Sequence, residues 1–237
     1  MRELDARSVR SGVPRFARPR FLGVRAVPKP SPRSSLGSVR AWQRMLSGRR
    51  LDLLDPSPLD IEIEDIAHGL ARTARWNGQT RGRHIFSVAQ HTLLVEALLL
   101  VQEPHGPAQL RRAALLHDAA EYVIGDLISP FKAMLSDDYR QAERRIMAAV
   151  HLRFGLPPAL PLHIARAIKR ADATAAFLEA VNLAGFSLAE AKRYFPRPDM
   201  PTPVDSELLE PWSAAKATRR FLERFSRIAE DRLKSAS

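Results

Sequence analysis

No stretch of this chain alternates apolar and polar residues over a useful length; its apolar residues recur at helical spacing instead. Sheets are thereby removed as the main framework, and the core is left to packed helices. The spacing predicts helices over residues 63–75, with Ile66, Leu70 and Ala74 inward, then over 85–101, 108–123, 137–154, 161–184 and 212–234. A short helix is expected at 130–136. Glycine and proline punctuate the pattern at Gly78 and Gly82, at Pro104 to Pro107, at Gly125, and at Gly155 to Pro158. A proline-rich link, Pro196 to Pro211, precedes the last helix, which carries Trp212, Phe221, Leu222 and Phe225. Residues 42–58 read as a short irregular or hairpin-like opening. The expected class is all-α, a globular helical bundle.

Charge is unevenly spread. Residues 1–40 hold ten Arg/Lys against Glu3 and Asp5, and the rest of the chain holds 27 basic against 24 acidic residues. The first segment therefore supplies +8 of the +11 net charge. It is rich in Pro, Ser and Gly as well as Arg, so it is expected to be a disordered extension. Nucleic-acid binding by this arm is a second reading, weakened by the lack of aromatics interleaved with the arginines. The expected organisation is an extension over 1–40, a main helical domain over 41–195, and a link plus C-terminal helix over 196–237. The chain has no cysteine, which excludes disulfides and thiolate chemistry. No apolar run approaches the roughly 20 residues of a membrane span, so the expected place is the cytoplasm.

The chemistry concentrates in ALLHDAAEYVIGDLISPFK, Ala114 to Lys132. His117 and Asp118 sit together in an apolar run, where an ionised carboxylate is costly unless paired or metal-bound. Imidazole beside carboxylate suits a divalent cation. Helical spacing brings Glu121 to the face of His117 and near that of Asp118, placing it for acid/base work. A salt bridge to Arg111 or Arg112 is the plainer use for Glu121. Asp126, beyond in a glycine-containing turn, has capping or an Asx-turn as its plainer use. Two further residues lie near the apolar sides of their own helices: His91 upstream and Asp172 downstream.

In that order, His91, His117-Asp118 and Asp172, the chain resembles the HD-domain phosphohydrolase superfamily. It is most similar to the bacterial 5′-deoxynucleotidase branch, through Arg75-Trp76 ahead of the first His and Gly125 to Lys132 after the HD pair. The resemblance spans roughly Leu51 to Leu183. It implies an HD-type helical bundle in which His91, His117, Asp118 and Asp172 hold the metal and Glu121 and Asp126 are catalytic. It also implies a frequent homodimer, for which the C-terminal helix is a plausible interface. Two imidazoles and two carboxylates suit one divalent transition metal, Mn, Co, Fe, Ni or Zn, better than Ca or Mg. His163, nine residues before Asp172, falls on the opposite side of a shared helix, and His151 lies near a helix end, so one ion is favoured over two.

Arg75 is the leading candidate for the substrate phosphate, because a guanidinium suits bidentate phosphate contact. Trp76 has two uses open to it, stacking on a base or packing in the core. Arg81, Arg83 and Lys132 are further substrate-binding candidates. His68, Arg72 and Arg75 would share a face of one helix. The expected activity is hydrolysis of a nucleotide phosphate ester, best a deoxyribonucleoside 5′-monophosphate. A deoxynucleoside triphosphate is the nearest alternative substrate. A nucleic-acid-binding module with a vestigial HD site is the alternative from another class.

Overall fold

A computed structural model describes residues 41–132, 134–196 and 204–235. The expected extension over residues 1–40 and the middle of the proline-rich link lie outside the described residues. Among the described residues the protein is all-α apart from one small hairpin. That hairpin pairs β1 (Trp42–Arg44) with β2 (Arg50–Asp52) antiparallel, Gln43 facing Leu51. Its turn passes through Gly48 at φ +88°, a left-handed conformation that favours glycine. Leu51 is fully buried, so the hairpin contributes to the core.

The helices are α1 (Ile63–Leu70), α2 (Val88–Gln102), α3 (Ala108–Leu115), α4 (Glu121–Ile124), α5 (Ser129–Lys132), α6 (Asp137–Arg153), α7 (Leu162–Asn182), α8 (Leu188–Tyr194) and α9 (Ala214–Ser235). The centre is α2. Its apolar residues point all round, as they do in a helix enclosed by neighbours. It packs against α7, α3 and α9. Ser87 caps it, its hydroxyl accepting from Gln90 N–H.

Two polar side chains buried on α2, Gln90 and Glu96, bond the C-terminal segment. Gln90 Nε2 donates to the carbonyls of Leu208 and Glu210 at 2.9 and 2.7 Å, and its Oε1 accepts from Trp212 N–H. Glu96, wholly buried, accepts from Arg111 and Arg224. A carboxylate enclosed in this way needs both partners. These bonds hold α9 against the domain of its own chain, where it also packs on α1 and α3.

Two helices differ from the sequence expectation. The first ends at Leu70 rather than Arg75, so Ala74 is not on its inner face. Thr73 Oγ1 bonds back to Gly69 O. The following backbone then pairs with residues 86–88: Val88 N–H to Thr73 O, and Arg75 N–H to Phe86 O. This long-range pairing overrides the helix propensity of Ala and Arg. It also turns Arg75 away from His68 and Arg72, which face α9 across a surface groove.

The expected helix over 108–123 is also interrupted. Between α3 and α4, the N–H groups of His117, Ala119, Glu121 and Tyr122 each bond the carbonyl three residues back. Three residues per turn eclipse the side chains at i and i+3. Asp118 and Glu121 are therefore stacked on one side of a tightened turn. Gly125, at φ +77°, ends α4 and sends the chain toward α5.

Candidate metal centre

Three segments bring the sequence-selected ligands together. His91 comes from the first turn of α2, His117 and Asp118 from the tightened turn, and Asp172 from the middle of α7. Donor atoms of His91, His117 and Asp118 lie within 4.8 Å of one another. His91 Nε2 is 3.5 Å from Asp118 Oδ2 and 3.4 Å from Asp172 Oδ1, and His117 Nε2 is 3.2 Å from Asp118 Oδ2.

The tautomers follow from the outer nitrogens. His117 Nδ1 donates to Ala114 O at 2.8 Å, and His91 Nδ1 donates to the Glu179 carboxylate at 2.6 Å. In these tautomers each ring turns its Nε2 to the same space, where a bound cation would take the place of a proton. Both Nε2 atoms are buried without a hydrogen-bond partner among the described residues. Buried polar atoms are rarely left so, and two of them facing two carboxylates fit a cation. Burial would raise the acids, yet His117 and His91 hold Asp118 well below the ordinary carboxylate range. Asp172 is lowered in the same way, against burial, by His91 and His117. Burial and Arg75 would push His91 down, but Glu179, Asp118 and Asp172 hold it well above its ordinary value. The site favours positive charge.

Glu121 is buried beside this cluster. Burial, then the carboxylates of Asp118 and Asp126, push it up to about 8, although Lys132 opposes this. Lys132 Nζ donates to Glu121 Oε1 at 3.0 Å and lies 3.5 Å from Glu143. The alternative partners Arg111 and Arg112 are used elsewhere, Arg111 on Glu96 and Asp231, and Arg112 on Phe154 O. Asp126 is raised by burial, with Arg75 opposing. Its Oδ2 sits 3.3 Å from Arg75 NH1.

Arg75 itself lies between two carboxylates, Asp126 and Glu179, each at 3.3 Å. Trp76 packs its ring against Phe186 and Phe195, at centroid distances of 5.8 and 5.7 Å, and donates Nε1–H to Glu179 at 2.8 Å. Arg81 and Arg83 are exposed on the loop that follows. His151 is buried with Nδ1 on Pro158 O, and His163 is exposed.

Two residues near the ligands were not singled out in the sequence. Lys169, largely exposed, places Nζ 3.3 Å from Asp172 Oδ2. Glu179, wholly buried, gathers His91, Trp76 and Arg75 on one carboxylate. It stands seven residues after Asp172, two helical turns along the same face, and that spacing was the available signal.

No protein-family model matches the chain. It is 37% identical over 101 residues to the uncharacterized protein YfdR of Escherichia coli K12, covering 43% of this chain and about half (51%) of that one. It is 63% identical over 160 residues to the uncharacterized protein RCAP_rcc00048 of Rhodobacter capsulatus, covering 68% of this chain and 82% of that one. At that identity and coverage, the chain belongs to the family of the Rhodobacter capsulatus protein.

Proposed function

We propose that this protein is a metal-dependent phosphohydrolase of the HD type, cleaving the phosphate ester of a nucleotide. The preferred substrate class is a deoxyribonucleoside 5′-monophosphate, and the products are nucleoside and phosphate. One observation carries the reading: the buried Nε2 atoms of His91 and His117, which make no hydrogen bond, converge with Asp118, with Asp172 beside His91, next to a buried Glu121. His91, His117, Asp118 and Asp172 would hold one divalent transition ion, Mn, Co, Fe, Ni or Zn. Such an ion supplies an acidified water and charge to offset the phosphoryl oxygens.

The chain's own groups do the rest. As water attacks phosphorus, the P–O bond to the sugar breaks and the departing alkoxide needs a proton. Glu121, protonated near neutrality, is the group to give it, with Lys132 fixing one of its oxygens. Asp126, held by Arg75, is the second carboxylate that can orient water. Phosphate recognition falls to Arg75, Lys132, Arg81 and Arg83.

A deoxynucleoside triphosphate in the same pocket is the second reading. Exposed Arg81 and Arg83, on the loop after Arg75, favour it. No described helix is long and apolar enough to cross a membrane; a cytoplasmic place and a homodimer go with this reading. The test is phosphate release by metal-loaded protein over a panel of nucleotides. Orthophosphate from deoxynucleoside monophosphates supports the first reading, and tripolyphosphate from triphosphates the second. No product from any nucleotide with any of the five metals contradicts both.

A further inference from the structure

The segment Arg75–Gly78 contains two consecutive non-glycine residues in the left-handed region, Trp76 at φ +56° and Asn77 at φ +51°. There an L side chain's Cβ crowds the following carbonyl oxygen, so each such residue is disfavoured. Strain of this kind persists only where its surroundings over-determine it. Trp76 is fixed by Phe186 and Phe195 on its ring and by Glu179 on its indole N–H. Arg75 is fixed by Glu179 and Asp126. Glu179 Oε2 therefore holds the first strained residue, Trp76, and Arg75 just before it, while Oε1 accepts from His91 Nδ1 at 2.6 Å. One wholly buried carboxylate connects the loop to a ring whose Nε2 points into the metal centre.

We infer that Glu179 is a positioning residue that locks the Arg75–Gly78 loop to His91, so that loading of the metal and ordering of the loop are one coupled event. The inference rests on the metal reading above. Its logic is geometric. With Nδ1–H committed to Glu179, His91 has one ring orientation, and its Nε2 faces Asp118 and Asp172. Outer partners of ligand histidines typically change metal affinity by 10–100-fold. Coupling is reciprocal, so whatever the loop contributes to the metal, the metal returns to the loop. The loop carries Arg75, the leading phosphate candidate, so the metal-free protein would also present a poorer phosphate site.

The experiment uses the full chain and Mn(II) as probe, with binding followed by electron paramagnetic resonance. Glu179→Gln, which keeps an acceptor but loses the charge, is expected to raise the Mn(II) Kd about tenfold, and Glu179→Leu toward 100-fold. Trp76→Phe, which spares the Glu179–His91 bond, is expected to raise it less, up to about fivefold, a hydrogen bond's worth. In wild type, Mn(II) should slow hydrogen exchange of the Arg75–Gly78 amides, and Glu179→Gln should abolish that protection. The wild-type exchange measurement needs no variant, so it decides the matter even if Glu179→Leu does not fold. Wild-type protein that binds Mn(II), with no loop protection and with a helical Glu179→Gln variant within twofold of its Kd, overturns this inference alone. Wild-type protein that binds no Mn(II) overturns it together with the metal reading.

Discussion

His91 and His117 stand with ring centroids 5.2 Å apart, and in each the outer nitrogen is hydrogen-bonded while the inner one faces carboxylates without a hydrogen bond among the described residues. Neither ring is packed there for its apolar surface alone. The pair comes from α2 and from the turn after α3, elements joined through the core of the domain. The separation of the two Nε2 atoms is thus set by core packing, and changes in that packing should reach the site.

Glu121→Gln should keep metal and lose turnover by about 10²-fold or more, since its proposed work is proton transfer. In wild type, turnover should fall as pH rises toward and through about 8, as Glu121 gives up its proton. A cation at the neighbouring carboxylates would draw that limb lower. The limb should be missing from the residual activity of the variant. Near-wild-type turnover at saturating metal would remove Glu121 from the mechanism.

Arg75→Ala should cost stability as well as catalytic efficiency. It leaves Glu179 and Asp126 without their shared counter-charge, worth about 3 kcal/mol for an enclosed carboxylate stripped of its partner. Arg75→Lys should recover only part, because an ammonium lacks the planar fork. Denaturant unfolding of the metal-free protein reads this directly. Unchanged stability with a raised substrate constant would mean that Arg75 serves the phosphate alone.

Gly69→Ala should be more damaging than its position on α1 suggests. A Cβ there would come 2.8 Å from Tyr122 Cβ and 2.9 Å from Tyr122 O. The α1–α4 contact must open, at about 1–3 kcal/mol, and Glu121 is the next residue along. A lower denaturation midpoint and a lower turnover are expected together. A variant as stable as wild type would show that the two helices part without strain.

His151 gives a pH signature independent of the metal. Burial lowers its affinity for protons, with the carbonyls of Pro158 and Pro157 opposing only in part. Its folded value lies below the unfolded one near 6.5, so the unfolded chain binds the extra proton first. Its contribution to stability is fully present above pH 6.5. It is lost as pH falls from there through the folded value, at up to about 1.4 kcal/mol per pH unit. Unfolding measured at pH 7.5 and 5.5 should show a larger drop in wild type than in His151→Leu; equal drops would contradict it.

The candidate ligands were legible from their types and order in an apolar helical chain, and His91, His117 and Asp118 do come within 4.8 Å of one another. The all-α class was legible for the same reason as the helices, their 3.6-residue spacing. What was hidden depends on distant partners. Glu179 reads locally as one more acid on a long helix; its bonds reach 88 positions back to His91 and 103 back to Trp76. The end of α1 is set by pairing with residues 86–88, and nothing in LARTAR, Leu70 to Arg75, announces it. The tightened turn at His117-Asp118 lies in a run of Ala and Leu without Gly or Pro. The helix α8 was missed although its signal was local: Ser187 and Glu190 form a capping box.

The central claim is tested most directly by titrating metal-free wild-type protein and Asp118→Ala with Mn(II) and counting ions bound per chain. Asp118 Oδ2 lies within 3.5 Å of both inner imidazole nitrogens, 3.5 Å from His91 Nε2 and 3.2 Å from His117 Nε2. The expected result is one tightly bound ion in wild type and none in the variant, with both proteins equally helical. An Asp118→Ala protein that binds the ion as wild type does, or a wild type that binds none, would contradict the assignment of this site.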